Sequence, residues 1–309
     1  MKSRNPCVLP NTVAAYNKSG CAKFDEGDYA GAITDYDKVV EFMPNNPSAY
    51  FNRGRAKAAK GDYNGAITDC NKVIDLMRFD ANGYSAAYNI LGFAKIGKGD
   101  YHGAVIDCTK AIKLMPSNAN ASFNCGRAKI AIGDYGEAII DFTKAIELEP
   151  EFAEAYLQRG RGKIAIGDYH GAITDCTKAI ELMPSNAPAY ANRGSAEMAK
   201  GDYDEAIIDC NKGIELKPDS ADAYLTRGYA KEAKGDTSGA REDCYKAVEL
   251  NSTTNAIIGQ RSQGMIDFIN GNYQAALESW QKVIQQDDLC RHELRSWVEK
   301  ANAKLNHSN

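Results

Sequence analysis

The sequence predicts an all-α solenoid of stacked helix pairs, and three observations carry that prediction. A Gly-Asp-Tyr tripeptide recurs at Gly27, Gly61, Gly99, Gly133, Gly167 and Gly201, with weaker copies at Gly235-Asp236-Thr237 and Gly271-Asn272-Tyr273. The spacings are 34, 38, 34, 34, 34, 34 and 36 residues, a period that marks an array of like units. Alanine stands five residues after the turn glycine in all eight copies, from Ala32 to Ala276, where only a small side chain fits between crossing helices.

Length and charge narrow the alternatives. At 309 residues the chain can hold two ordinary globular domains or one extended array. Apolar residues at 44% and charged residues at 25% are ordinary soluble values. A net charge of -4 exerts no global pull toward nucleic acid or an anionic membrane. No apolar run approaches the roughly 18 residues that a spanning helix needs. Residues 1–16 have basic side chains but no sustained apolar core, so no secretory signal is expected.

In chain order, residues 1–12 lack periodicity, contain Pro6 and Pro10, and are expected to form a short, poorly ordered leader. Eight two-helix repeats are expected at 13–46, 47–80, 85–118, 119–152, 153–186, 187–220, 221–254 and 257–288. In each first helix a glycine sits seven residues before the turn glycine, from Gly20 to Gly264. Lacking a Cβ, it admits a close neighbour, which offsets its poor helix propensity. The turn glycine itself is expected at positive φ.

In each second helix Tyr36, Cys70, Cys108, Phe142, Cys176, Cys210, Cys244 or Trp280 stands nine residues after the turn glycine, followed four on by Val or Ile. That spacing predicts the buried stripe. Pro44, Pro116, Pro150, Pro184 and Pro218 end these helices. Five of the nine cysteines share this one slot. Equivalent residues of stacked helices lie about 10 Å apart, beyond the roughly 7 Å that a disulfide allows. Buried thiols in a reducing, cytoplasmic setting are expected.

These features together resemble the tetratricopeptide repeat (TPR) family. Its aromatic near the start of the first helix is matched by Tyr16, Tyr50, Tyr88, Tyr156, Tyr190 and Tyr224. The resemblance covers residues 13–288 and implies a right-handed α-solenoid superhelix of about eight repeats, with the first helices lining the concave face. The departures are local. The second copy has Arg78 in place of Pro and four extra residues around Asp80 to Gly83, read as a loop insertion that is neutral, a hinge or a contact edge. The seventh loses its turn Tyr to Thr237 and its Pro to Ser252, and the eighth has Gln260 in the aromatic slot. In residues 289–309, Leu294, Trp297, Val298 and Ala301 at helical spacing predict a capping helix and tail.

The resemblance also implies where a ligand sits. Ten, nine and six residues before the turn glycine, the second copy reads Phe51, Asn52, Arg55; the fourth, Phe123, Asn124, Arg127; the fifth, Leu157, Gln158, Arg161. Asn192 extends the amide row. Such a face offers apolar contact, amides for a peptide backbone and guanidinium for carboxylate. A peptide or protein segment with acidic and apolar residues is the implied partner.

Two other rows read as structural. Arg53, Arg159, Arg193 and Arg227 are expected to pair with an aspartate row running from Asp35 to Asp243, in their own or the preceding repeat. Lysine recurs from Lys38 to Lys282, and in seven copies an aspartate three residues earlier is expected to cancel its charge, which disfavours nucleic acid. The segment Gly92 to Gly99 nearly matches a phosphate-binding loop but lacks its Ser/Thr and any preceding strand. His102 and His170 are two repeats apart, and His292 and His307 have no ligand partners at metal spacing. No nucleophile–base set is present, so an enzyme is not expected, nor is a cofactor, a metal or a membrane partner.

The leading expectation is a non-catalytic scaffold that binds its partner in the concave groove. A regulatory or adaptor subunit docking through the convex face or the ends is the alternative, and self-association through the C-terminal repeat stays open.

Overall fold

The computed structural model describes residues 8–76, 81–250, 256–286 and 289–308. Within these residues the chain is all-α, with seventeen helices and no strand. They come as consecutive pairs: α1 (Val8–Asp25) with α2 (Tyr29–Phe42), α3 (Pro47–Lys60) with α4 (Tyr63–Leu76), and α5 (Ala81–Gly97) with α6 (Tyr101–Leu114). The pairs continue as α7 (Ala119–Ala131) and α8 (Tyr135–Leu148), α9 (Ala153–Ala165) and α10 (Tyr169–Leu182), and α11 (Ala187–Lys200) and α12 (Tyr203–Leu216). Then follow α13 (Ala221–Ala233) and α14 (Thr237–Leu250), α15 (Ala256–Ile269) and α16 (Tyr273–Gln286), and a single α17 (Leu289–Ser308). Two units are distinguished: residues 1–134 with 147–149, and residues 135–146 with 150–309.

Each pair is set by its turn. All eight turn glycines have φ between 79° and 91°, the left-handed region that costs other residues a Cβ clash. In five of the pairs the aspartate that follows caps the second helix, and in the sixth Asp202 makes no such side-chain bond. Asp28, Asp62, Asp100, Asp168 and Asp236 each accept from the backbone N–H three residues on, at 2.9–3.0 Å. The donor in every one of these is a glycine, a regularity that the sequence pattern alone did not explain. A Cβ at Gly31 would stand 2.1 Å from the Asp28 carboxylate. At the far end Met43, Met115 and Met183, each just before a proline, leave the helical region with ψ of 71°, 89° and 86°, since the proline ring disfavours helical angles in its predecessor.

Packing within a pair follows the small-residue rows. The alanine five residues after the turn is 0% exposed in every copy. The first-helix glycine faces the second-helix slot: a Cβ at Gly92 would stand 2.2 Å from Cys108 Sγ, and one at Gly264 2.4 Å from Trp280 Nε1. The buried stripe departs from expectation in register. Beside Tyr36, Cys70 and Trp280, the fully covered partner lies three residues on (Val39, Val73, Val283), while the Val or Ile four on is half-buried in most copies.

The arginine row pairs with the aspartate row as expected, within its own repeat, while the outer lysines depart from expectation. Arg53 holds Asp69 through two hydrogen bonds of 2.8 and 2.6 Å and reaches back to Asp37 at 2.7 Å. Arg159, Arg193 and Arg227 hold Asp175, Asp209 and Asp243 in the same two-pronged way. A lysine row not recognised from the sequence shares those carboxylates, as in Lys57–Asp69 at 2.9 Å and Lys163–Asp175 at 2.8 Å. The aspartates face inward, so the outer lysines turn to glutamates three residues later instead: Lys38–Glu41, Lys178–Glu181, Lys212–Glu215 and Lys246–Glu249. Lys110 does stand near its aspartate, 3.8 Å from Asp107.

Two loop expectations are corrected. Residues 8–12, expected in a leader, belong to α1; Pro10 is tolerated in the first turn, where no intrahelical acceptor awaits its missing N–H. Residues 81–84 are not a loop but the opening turn of α5, which lengthens that first helix to 17 residues. Residues 1–7, Arg78, Asp80 and Ser252 lie outside the described residues.

Candidate peptide-binding grooves

In the first unit, the first helices line a cavity of about 420 Å³. α1 contributes Phe24; α3, Phe51 and Arg55; α5, Asn89 and Phe93; α7, Asn120 and Asn124; Asn118 precedes it. The lining holds amides, aromatic rings and one guanidinium, with no carboxylate. Arg55 lies over the Phe24 ring at 4.1 Å, and its Nε is buried without a hydrogen-bond partner. Arg127 lies 5.7 Å from the Phe93 ring and 5.8 Å from that of Phe123. Stacking on an aromatic face steadies a guanidinium while leaving its hydrogen-bonding edge available. The two differ sharply from Arg53, whose donors are taken by Asp69 and Asp37.

Of the residues expected here, Phe51, Arg55 and Asn124 line the cavity, and Asn52, Phe123 and Arg127 do not. Phe123 and Asn124 are 8% and 7% exposed. Asn124 donates to Asn89 Oδ1 at 2.8 Å and accepts from Arg127 at 3.4 Å, so part of its amide is already engaged. Asn89 and Phe93 stand in the rows the sequence singled out; Phe24 stands in another, three residues before the turn, which elsewhere holds core residues such as Ile164 and Met198.

Leu157, Gln158, Arg161 and Asn192 fall in the second unit, so the expected set is divided between the two units. They line a cavity of about 280 Å³ with Thr226, Arg261 and Cys290. Leu157 is 4% exposed and packs on Ala179 and Ala189, a core role. Gln158 donates to Glu154 at 2.8 Å, and Arg161 is exposed. Cys290 belongs to α17, so this face is partly covered by the chain itself.

Tetratricopeptide repeat models match residues 47–78, 85–118, 119–152, 187–220 and 221–254, and a TPR repeat model matches residues 20–61. The chain belongs to the tetratricopeptide repeat family. Its helix pairs form the TPR solenoid, the fold of a protein-interaction scaffold. No curated protein matches it. A TPR protein from Parabacteroides merdae ATCC 43184 is 18% identical, with a TM-score of 0.54 over 92% of this chain and 99% of that one. A chain of the APC/C hetero-tetramer Cut9-Hcn1 is 15% identical, with a TM-score of 0.62 over 88% of this chain and 52% of that one. YrrB, described as a TPR protein with an unusual peptide-binding site, is 22% identical, with a TM-score of 0.50 over 63% of this chain and 97% of that one. Among the described residues of this TPR chain, no helix is long and apolar enough to cross a membrane.

Proposed function

We propose that this chain is a non-catalytic, cytoplasmic scaffold whose first-unit groove holds a peptide segment bearing acidic and apolar residues. The observation that carries the reading is the state of Arg55 and Arg127. Each guanidinium rests on phenylalanine, and among the described residues neither pairs with a carboxylate. A peptide carboxylate meets two placed charges there, its apolar side chains meet Phe24, Phe51 and Phe93, and Asn124 serves its backbone. YrrB shares the fold, which supports the reading at that level alone.

A second reading, docking as a regulatory or adaptor subunit through the second-helix face, draws on Ile140 and Ile208 of the second unit, which are 60% and 65% exposed. Panning a displayed dodecapeptide library against the intact chain separates the two. Enriched peptides combine Asp or Glu with Phe, Leu or Trp, and Arg55→Ala/Arg127→Ala weakens them at least about tenfold, the loss of two charge-assisted contacts. Equal binding to the double variant overturns the groove reading.

A further inference from the structure

We propose that the first-helix face of the second unit is a helix-binding groove held in cis by α17, and that its partner in trans is an amphipathic helix with bulky apolar anchors at the spacing of α17. This stands apart from the peptide site of the first unit. The position of α17 carries it. Cys290, Leu294, Trp297 and Ala301, at successive steps of four, three and four, are 1%, 1%, 3% and 0% exposed and make one apolar stripe. Trp297 packs edge-on against Tyr229 of α13 at 5.3 Å and Phe268 of α15 at 5.5 Å. Toward its other end, Cys290 shares a cavity with Leu157 and Arg161 of α9, and His292 lies beside the turn at Gly167. The helix therefore does more than close the last pair: it crosses first helices from α15 back to α9.

The residues it covers belong to the same row as Arg55 and Phe93. Tyr229 and Met265, each six residues before its turn glycine, are 1% and 0% exposed; Arg55 and Phe93, at that position in the first unit, are only half-buried. An occupant already sits in one groove, and it shows what those rows accept: a helix with anchors at i, i+4, i+7 and i+11. The seat is not filled throughout. The cavity of about 280 Å³ beside Cys290 is lined by Gln158, Arg161, Asn192 and Thr226, so a helix with a longer polar side chain at that position makes contacts that α17 does not. What α17 has in its favour is the tether, which holds it at an effective concentration on the order of millimolar.

The test uses the full chain with a protease site inserted between α16 and α17, compared before and after cutting, and a fluorescein-labelled synthetic peptide of residues 289–308. The cut protein is expected to keep its helicity and to exchange its own α17 for the labelled peptide. Uptake is saturable and at least about tenfold tighter than by the uncut chain, the advantage of the tether being removed. A peptide carrying Leu294→Ala and Trp297→Ala binds at least about tenfold more weakly. Loss of the cooperative thermal transition on cutting overturns the proposal, because α17 is then an integral part of the last repeat. So does a folded cut protein that excludes the peptide, or an uncut chain that takes it up equally well.

Discussion

Four residues before the turn glycine, six of the eight repeats carry a lysine, and the sixth repeat carries Glu197. Where the lysine is present it shares the inward aspartate with a second cation, as Lys57 and Lys163 do. Glu197 instead sets a second carboxyl beside Asp209, with Arg193 at 4.0 Å as its nearby cation. Burial, then the charge of Asp209, pushes its pKa up to about 8, against the opposing pull of Arg193. The folded protein therefore holds a proton here that the unfolded chain releases near 4.5. This contribution to stability is complete below that value and is lost as pH rises toward 8. Melting followed by circular dichroism from pH 5 to pH 9 is expected to show that loss, and Glu197→Gln to flatten it. Glu197→Lys, which restores the repeat's own cation, raises the melting temperature at pH 8 by about 2–4 °C per kcal/mol regained. A wild-type curve that Glu197→Gln leaves unchanged rejects this account.

A glycine–cysteine or glycine–aromatic approach joins the two helices of a repeat, as at Gly20, Gly54, Gly160 and Gly264. Gly92 is the tightest of the cysteine pairs, since a Cβ would stand 2.2 Å from Cys108 Sγ and 3.4 Å from the Ala104 carbonyl. Gly92→Ala is expected to cost about 1–3 kcal/mol in chemical denaturation, the usual penalty for overfilling a packed site. Gly92→Ala/Cys108→Ala, which trades the sulfur for the added methyl, recovers most of that loss. Gly136, in the first turn of α8, is the control, because a Cβ added there would meet nothing within 4 Å. At Gly136 the same change is neutral or stabilising by up to about 1 kcal/mol. Equal losses at the two glycines mean that helix propensity, not the approach, decides.

Across the whole molecule the cysteine slot is sealed. Among the described residues the eight cysteines form no disulfide, and all but Cys21 are buried. Burial pushes the thiols of Cys70, Cys176 and Cys244 up to about 12, so the reactive thiolate is suppressed as well as shielded. Pulse alkylation along a denaturant series, read by peptide mass spectrometry, is expected to modify Cys70, Cys176, Cys210 and Cys244 only as helicity is lost. Labelling of those four in the native protein contradicts the packing described.

Whatever a single repeat settles with its own residues was legible in the amino-acid order. The turn glycine, the alanine at the crossing, the glycine facing the cysteine slot and the Arg–Asp pair are local contacts within 16 residues, stated over and over with small variation, so periodicity reveals them. The register of the buried stripe was less legible, because three and four residues on both fall near one helix face and packing chooses between them. The lysine that shares aspartates such as Asp69 and Asp175 was not legible, because an inward and an outward lysine row look alike in sequence. Which polar groups remain to be used was settled by packing between repeats, in three dimensions. Arg55 and Arg127 stand over rings contributed partly by neighbouring repeats, and the second groove is covered by a helix that packs on partners far back along the chain, as His292 does at Gly167. Such contacts join segments that share no period, and free area on a repeated face becomes known only once every other segment has found its place.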